Sequence, residues 1–150
     1  SYKLKKSTCG SILDSVARKP LNKINLDYAH GTGHGVGYFL NVHEGPQAIS
    51  KGNKVKFKEG MIISNEPGYY ENGKFGIRIE NLLTVKKINN SYKFKDLTLV
   101  PIDKSLIQKD LLNKNEINWL NSYHSKVYNN LKKYMNKTEL IELKNSCSNI

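Results

Sequence analysis

The sequence predicts an α+β fold in which a mainly antiparallel sheet is flanked by helices and followed by a helical tail. Three features predict it. Between residues 55 and 100, four strand-like runs are separated by short turn signals, and connections that short favour antiparallel pairing. From residue 114 onward the period changes, with Ile117, Leu120, Val127, Leu131 and Tyr134 recurring at helical spacing. Ahead of the strands, a short amphipathic stretch leads into a glycine-rich block that is a poor helix.

Ser7 to Arg18 reads as a helix, because Ile12, Leu13, Val16 and Ala17 fall on one face and Ser11 with Asp14 has the form of an N-terminal capping pair. Asp14 in a first helical turn reads as a capping or dipole group rather than a metal carboxylate. Lys19-Pro20 is expected to end the helix, and Leu21 to Ala29 connects to the glycine block. Past Pro46 comes a lysine-rich loop around Ser50 to Lys54. Val55 to Phe57, Met61 to Ser64, Phe75 to Val85 and Tyr92 to Val100 are the expected strands. Their turn signals are Glu59-Gly60, Glu71-Asn72-Gly73 and Asn89-Asn90. Lys114 to Met135 is expected as one amphipathic helix capped by Asn113 and Glu116, with Thr138 opening a shorter one. Trp119, Tyr123 and Tyr128 read as packing residues.

A chain of 150 residues can bury one ordinary core, and 38% hydrophobic with 25% charged residues fits a globular class. No apolar run approaches the roughly 20 residues that span a bilayer. The start, Ser1-Tyr2-Lys3-Leu4-Lys5-Lys6, has neither an initiator methionine nor a signal-peptide stretch and reads as a cut inside a longer protein. Cys9 and Cys147 have no CxxC spacing; free thiols in a reducing compartment are preferred over a disulfide joining the two ends. The net charge of +11 comes from 24 Lys and Arg against 13 Asp and Glu. These lysines are scattered among asparagines rather than clustered with aromatics, which favours a solvated surface over a nucleic-acid site.

Chemical information concentrates in His30-Gly31-Thr32-Gly33-His34-Gly35-Val36-Gly37 and the following Tyr38-Phe39-Leu40-Asn41-Val42-His43-Glu44-Gly45-Pro46. The alternating glycines make a shaped loop or distorted strand that presents imidazoles. A dinucleotide fingerprint fails, since counting from Gly31 its sixth place is Val36, and no Gly-Lys-Ser/Thr follows for a phosphate loop. Imidazoles point to metal or acid–base work. Glu66, in Ser64-Asn65-Glu66-Pro67-Gly68-Tyr69-Tyr70, and Glu80, in Phe75-Gly76-Ile77-Arg78-Ile79-Glu80-Asn81, both follow apolar runs. Histidine with two glutamates supplies mixed nitrogen and oxygen ligands that suit manganese, cobalt or zinc in a hydrolytic site. Alternation through Ile77-Arg78-Ile79-Glu80 puts Arg78 and Glu80 on one face.

These three blocks, in order and spacing, closely resemble the cytosolic-type aminopeptidases P, the Xaa-Pro aminopeptidases of the pita-bread metallopeptidase family. Leu13-Asp14-Ser15-Val16-Ala17-Arg18 and Leu26-Asp27-Tyr28 resemble that family's leader to the histidine block, and the helical tail resembles its carboxy-terminal extension. The resemblance implies a partial pita-bread (creatinase/aminopeptidase) fold, with residues 1–100 the carboxy-terminal part of a catalytic domain and 101–150 a helical extension involved in dimer contact.

It also implies roles. His34, Glu66 and Glu80 are the expected metal ligands, Glu80 bridging two metals, although an isolated histidine would more often be a core residue. Glu66 is the expected general base. His43 and His30 lie beside the metals and contact substrate or the developing tetrahedral intermediate. Arg78 orients a carboxylate from outside the ligand set, and Tyr69 is a candidate wall of the substrate pocket. The implied cofactors are two divalent ions, manganese first with zinc or cobalt as alternatives. Full binding needs two aspartates that this chain does not supply, so the segment alone is expected to be inactive. The implied substrates are peptides with proline second, and the implied setting is a cytoplasmic homodimer. The competing expectation is a non-catalytic module of the same fold that binds a protein or RNA partner through its basic surface.

Overall fold

The computed structural model describes residues 4–5, 7–39, 41–89 and 91–150; the expectations that fall on the amino-terminal Ser1-Tyr2-Lys3 and Lys6, on Leu40 and on Asn90 lie outside the described residues. The chain divides into two units, Ser1–Thr98 and Leu99–Ile150. The first unit holds α1 (Gly10–Asn22), β1 (Gly33–His34), β2 (Ala48–Ile49), β3 (Ile62–Asn65), β4 (Gly68–Glu71), β5 (Phe75–Arg78), β6 (Asn81–Ile88) and β7 (Ser91–Asp96). The second holds α2 (Lys114–Leu131) and α3 (Lys137–Ser146) with short 3₁₀ turns.

All strand pairs are antiparallel, in the groupings β1-β2, β3-β6-β7 and β4-β5. Leu4, Leu13, Ile49, Phe57, Ile63, Leu83 and Val85 form the core of this unit, with Met61, Tyr92 and Phe94 packed against it. Gly10 is where α1 meets β2. A β-carbon there would run into the Ala48 carbonyl, so only glycine allows this approach.

Helix α1 departs from expectation in three ways. It starts at Gly10 behind Cys9, which makes no side-chain cap bond, so Ser11 is not the capping residue. It runs through Pro20 to Asn22, because a proline in the last turn forfeits only one backbone bond. It also buries Leu13, Asp14 and Arg18 while Ile12 and Val16 stay 41% and 45% exposed. Asp14 is therefore an inward-facing member of an i, i+4 pair with Arg18, not a dipole group of the first turn.

The expected strand at 55–57 is only a bridge between Lys56 and Cys9, although Phe57 does enter the core. The expected strand from Phe75 to Val85 is two, β5 and β6, because its first part pairs with β4 and its second with β3. Strand β4 lies where no strand is expected, and Gly73 at φ +72 turns it back into β5. The last strand stops at Asp96 rather than Val100.

In the second unit, Asn113 and Glu116 form the expected capping box on α2. The helix ends at Leu131, where a 3₁₀ turn over Lys132–Tyr134 takes over, and α3 is opened by Asn136 with Glu139 rather than by Thr138. Tyr123, Val127, Leu143 and Cys147 make the core, with Tyr128 packed against it. Trp119 stacks on Tyr123 at 5.7 Å and 10° yet keeps 54% of its surface exposed. His124 is fully buried, and its Nε2 accepts from the Ile102 N–H at 3.1 Å. Among the described residues no helix is long and apolar enough to cross a membrane.

Candidate metal centre

The glycine-rich block runs as an extended backbone beside β3. Gly35 bridges Ile63, the Glu66 N–H donates to the Thr32 carbonyl at 2.8 Å, and Val36 N–H donates to Ile62. The approach is so close at Gly33 that a β-carbon would strike the Ser64 carbonyl. Glycine is required there by packing, and the result is that half-buried His34 and buried Glu66 face each other. Glu80, exposed just past β5, completes a group: His34, Glu66 and Glu80 each offer a ligand atom, and these atoms lie within 4.8 Å of one another. Among the described residues, no second trio of His, Cys, Asp or Glu donors gathers this closely.

The hydrogen bonds orient this group. A carbonyl can only accept, so His34 Nδ1 carries the proton it gives to the Gly35 carbonyl at 3.0 Å. In the neutral ring Nε2 then keeps its lone pair, 3.2 Å from Glu66 Oε1. One imidazole nitrogen and two carboxylates, so aimed, fit a divalent metal of the manganese, cobalt or zinc type. Ser64, fully buried, donates to Glu66 Oε1 at 2.8 Å and accepts from the His34 N–H at 2.9 Å. His43 is carried over the His34 ring, centroids 4.1 Å apart, by a loop closed through Gly37 N–H to Asn41 and Glu44 N–H to Gly35.

A second chain of contacts runs from His30. Its Nδ1 donates to the Gly31 carbonyl at 2.7 Å, leaving Nε2 to accept from the Tyr70 hydroxyl at 2.9 Å. Tyr70 in turn accepts from Arg78 Nε at 2.8 Å, and Arg78 Nη1 lies 3.4 Å from Glu66 Oε2. The Tyr70 contact, with Glu66 and Glu80 nearby, raises the Arg78 pKa above its usual range. The structure therefore joins Arg78 to the Glu66 carboxylate and, through Tyr70, to His30. Tyr69 donates to Glu71 at 3.0 Å, while its neighbour Tyr70 is the tyrosine that contacts His30 and Arg78. Alternation along β4 puts adjacent residues on opposite faces, and β4 is not among the expected strands.

Around buried Arg18 and Asp14 lies an ionic cluster that periodicity does not reveal. Arg18 donates to Asp14 at 2.8 Å, to Asp27 at 2.7 Å, and to the carbonyls of Tyr28 and His30 at 2.7 and 2.6 Å. Its guanidinium also lies 4.0 Å from the centroid of the Tyr28 ring. Thr32 Oγ1 donates to the other oxygen of Asp14 at 2.7 Å. The Arg18 bond lowers the Asp27 pKa to about 2, helped by the Tyr28 N–H and Lys51. Both leader aspartates are thus committed to Arg18.

Residues 2–87 match Metallopeptidase family M24, and residues 90–150 match the C-terminal region of peptidase M24. The chain is 52% identical over 131 residues to Aminopeptidase P2 of Arabidopsis thaliana, covering 81% of this chain and 18% of that protein. It is 50% identical over 142 residues to a probable Xaa-Pro aminopeptidase P of Fusarium vanettenii, covering 86% of this chain and 23% of that one. The chain thus spans less than a quarter of the length of these relatives. Its fold superposes on the X-prolyl aminopeptidase of Caenorhabditis elegans with a TM-score of 0.89 at 42% identity, covering 99% of this chain and 26% of that one. That protein is described as a cytosolic enzyme with a di-nuclear active site. The X-Pro aminopeptidase of Thermotoga maritima is 40% identical with a TM-score of 0.51 over 61% of this chain. With its α+β pita-bread architecture, this chain belongs to metallopeptidase family M24.

Proposed function

We propose that this chain supplies part of the catalytic centre of an Xaa-Pro aminopeptidase, which removes the first residue of peptides whose second residue is proline. The convergence of the His34, Glu66 and Glu80 donor atoms within 4.8 Å carries the reading. His34 Nε2, Glu66 and Glu80 would hold a divalent metal, and a second ion would need two aspartates from elsewhere. When bound, two divalent cations lower the pKa of a water and polarise the scissile carbonyl; manganese is the first choice, then zinc or cobalt.

The chain's own groups do the rest. Glu66 takes the proton of the attacking water, its carboxylate held on one oxygen by Ser64 and faced on the other by Arg78. His43, exposed beside His34, donates toward the carbonyl oxygen as charge builds there. His30 and Tyr70 form a wall for the proline ring, an imide having no N–H to offer. Residues 1–100 act as the catalytic segment and 101–150 as the helical extension. The assembly we infer is a cytoplasmic homodimer, supported by the resemblance of the tail to a dimerising extension.

The test is a rate comparison in the complete protein. Manganese-dependent release from Xaa-Pro peptides is expected to exceed that from Xaa-Ala analogues at least about tenfold, roughly 1.4 kcal/mol at the transition state. Equal rates on both would remove the assignment.

A further inference from the structure

Ser64 has the least conspicuous side chain near the centre and the most constrained. It is 0% exposed on β3, between Ile63 and Asn65. A hydroxyl has one proton and two lone pairs, and two of these three valences are spent on two different candidate ligands. The proton goes to Glu66 Oε1 at 2.8 Å, and a lone pair takes the main-chain N–H of His34 at 2.9 Å. The second bond stands where β1 and β3 approach each other too closely for a β-carbon on Gly33. The backbone that carries the imidazole is thereby pinned to the strand that carries the carboxylate.

We propose that Ser64 is a positioning residue of the metal centre, whose hydroxyl fixes the Glu66 carboxylate and the His34 backbone in one geometry. The inference rests on reading His34 and Glu66 as metal donors. Glu66 Oε1 can accept from Ser64 and still keep a lone pair for a cation shared with His34 Nε2, 3.2 Å away. Arg78 Nη1, 3.4 Å from Oε2, resists rotation of the carboxylate from the other side but is itself exposed. Ser64 is thus the one buried restraint of the two. Removing it leaves the His34 N–H without its acceptor and frees the carboxylate to swing, and loss of such an outer contact typically weakens metal affinity about 10–100-fold.

The test is a manganese titration of the complete protein by calorimetry, with thermal melting in parallel, on Ser64→Ala, Ser64→Thr and Ser64→Val. Threonine and valine share a shape and differ in the hydroxyl, so that pair decides the matter even if the alanine variant folds poorly. The expected result is at least about tenfold weaker binding in the valine variant than in the threonine variant, which stays near the parent protein. Equal manganese affinity in the threonine and valine variants overturns the proposal, as does a loss that only follows melting and is not rescued by threonine. Glu66→Gln separates the two levels. If it abolishes binding while Ser64→Val does not, Ser64 is acquitted and the centre stands; if it binds manganese like the parent, the metal reading itself fails.

Discussion

Arg18 donates from Nη2 to the main-chain carbonyl of His30 at 2.6 Å, so a guanidinium buried on α1 fixes the backbone of a histidine twelve residues further on. The same group neutralises Asp14, which is 1% exposed and also accepts from Thr32. Breaking such a pair leaves an uncompensated buried charge. Arg18→Ala is expected to destabilise the protein by about 3–5 kcal/mol, read as a fall in the urea midpoint. Arg18→Lys should recover little, because one ammonium cannot replace a planar fork that serves four acceptors. A lysine variant as stable as the parent would contradict this account.

Tyr70 links His30 to Arg78 through a single hydroxyl. Tyr70→Phe in the complete protein removes the donor to His30 and the acceptor of Arg78 together. A drop of about tenfold in kcat/KM on Xaa-Pro peptides is expected, the size of one active-site hydrogen bond. Tyr69→Phe, which loses a hydroxyl that donates to Glu71, should stay within about twofold by the same reasoning. Reversal of that order would place the wrong tyrosine at the site.

That distinction shows what the sequence could convey. Imidazoles spaced by glycine and glutamates after apolar runs are legible because the chemistry constrains residue type and order, and the structure brings His34, Glu66 and Glu80 together. Helix α2 is legible because its buried face repeats and its capping box is local. What stayed hidden depends on parity or on inward-facing polar groups. Tyr69 and Tyr70 differ by one place on β4, a strand that is not among those expected. Asp14, Arg18 and Ser64 look like solvated residues, since hydrophobic periodicity counts a satisfied buried ion pair or hydroxyl as surface.

Buried His124 gives the helical unit a pH dependence. Desolvation, reinforced by the charge of Lys104, lowers its pKa below the usual histidine value, so the folded chain binds this proton less readily than the unfolded chain. Its contribution is present above the unfolded pKa of about 6.5 and is lost as pH falls below it. Amide hydrogen exchange along α2 should therefore show weaker protection at pH 5 than at pH 8 once corrected for intrinsic rates. The difference should shrink in His124→Gln. Equal protection of α2 at both values in the parent would refute the assignment.

Charge limits what these 150 residues can hold by themselves. His34, Glu66 and Glu80 bring two negative charges against the four of a pair of dications, and no further trio of donors stands nearby among the described residues. Asp14 and Asp27 cannot be recruited without breaking their bonds to Arg18. The segment alone should therefore bind at most one manganese ion, weakly, and should not hydrolyse Xaa-Pro peptides. Phe75, Ile77 and Ile79 are each nearly half exposed around β5, which among the described residues pairs only with β4, so isolated material should also self-associate. Calorimetric titration against the complete protein decides it: two tight sites and turnover in the 150 residues alone would refute the prediction, whereas one weak site here and two tight sites in the complete protein would bear it out.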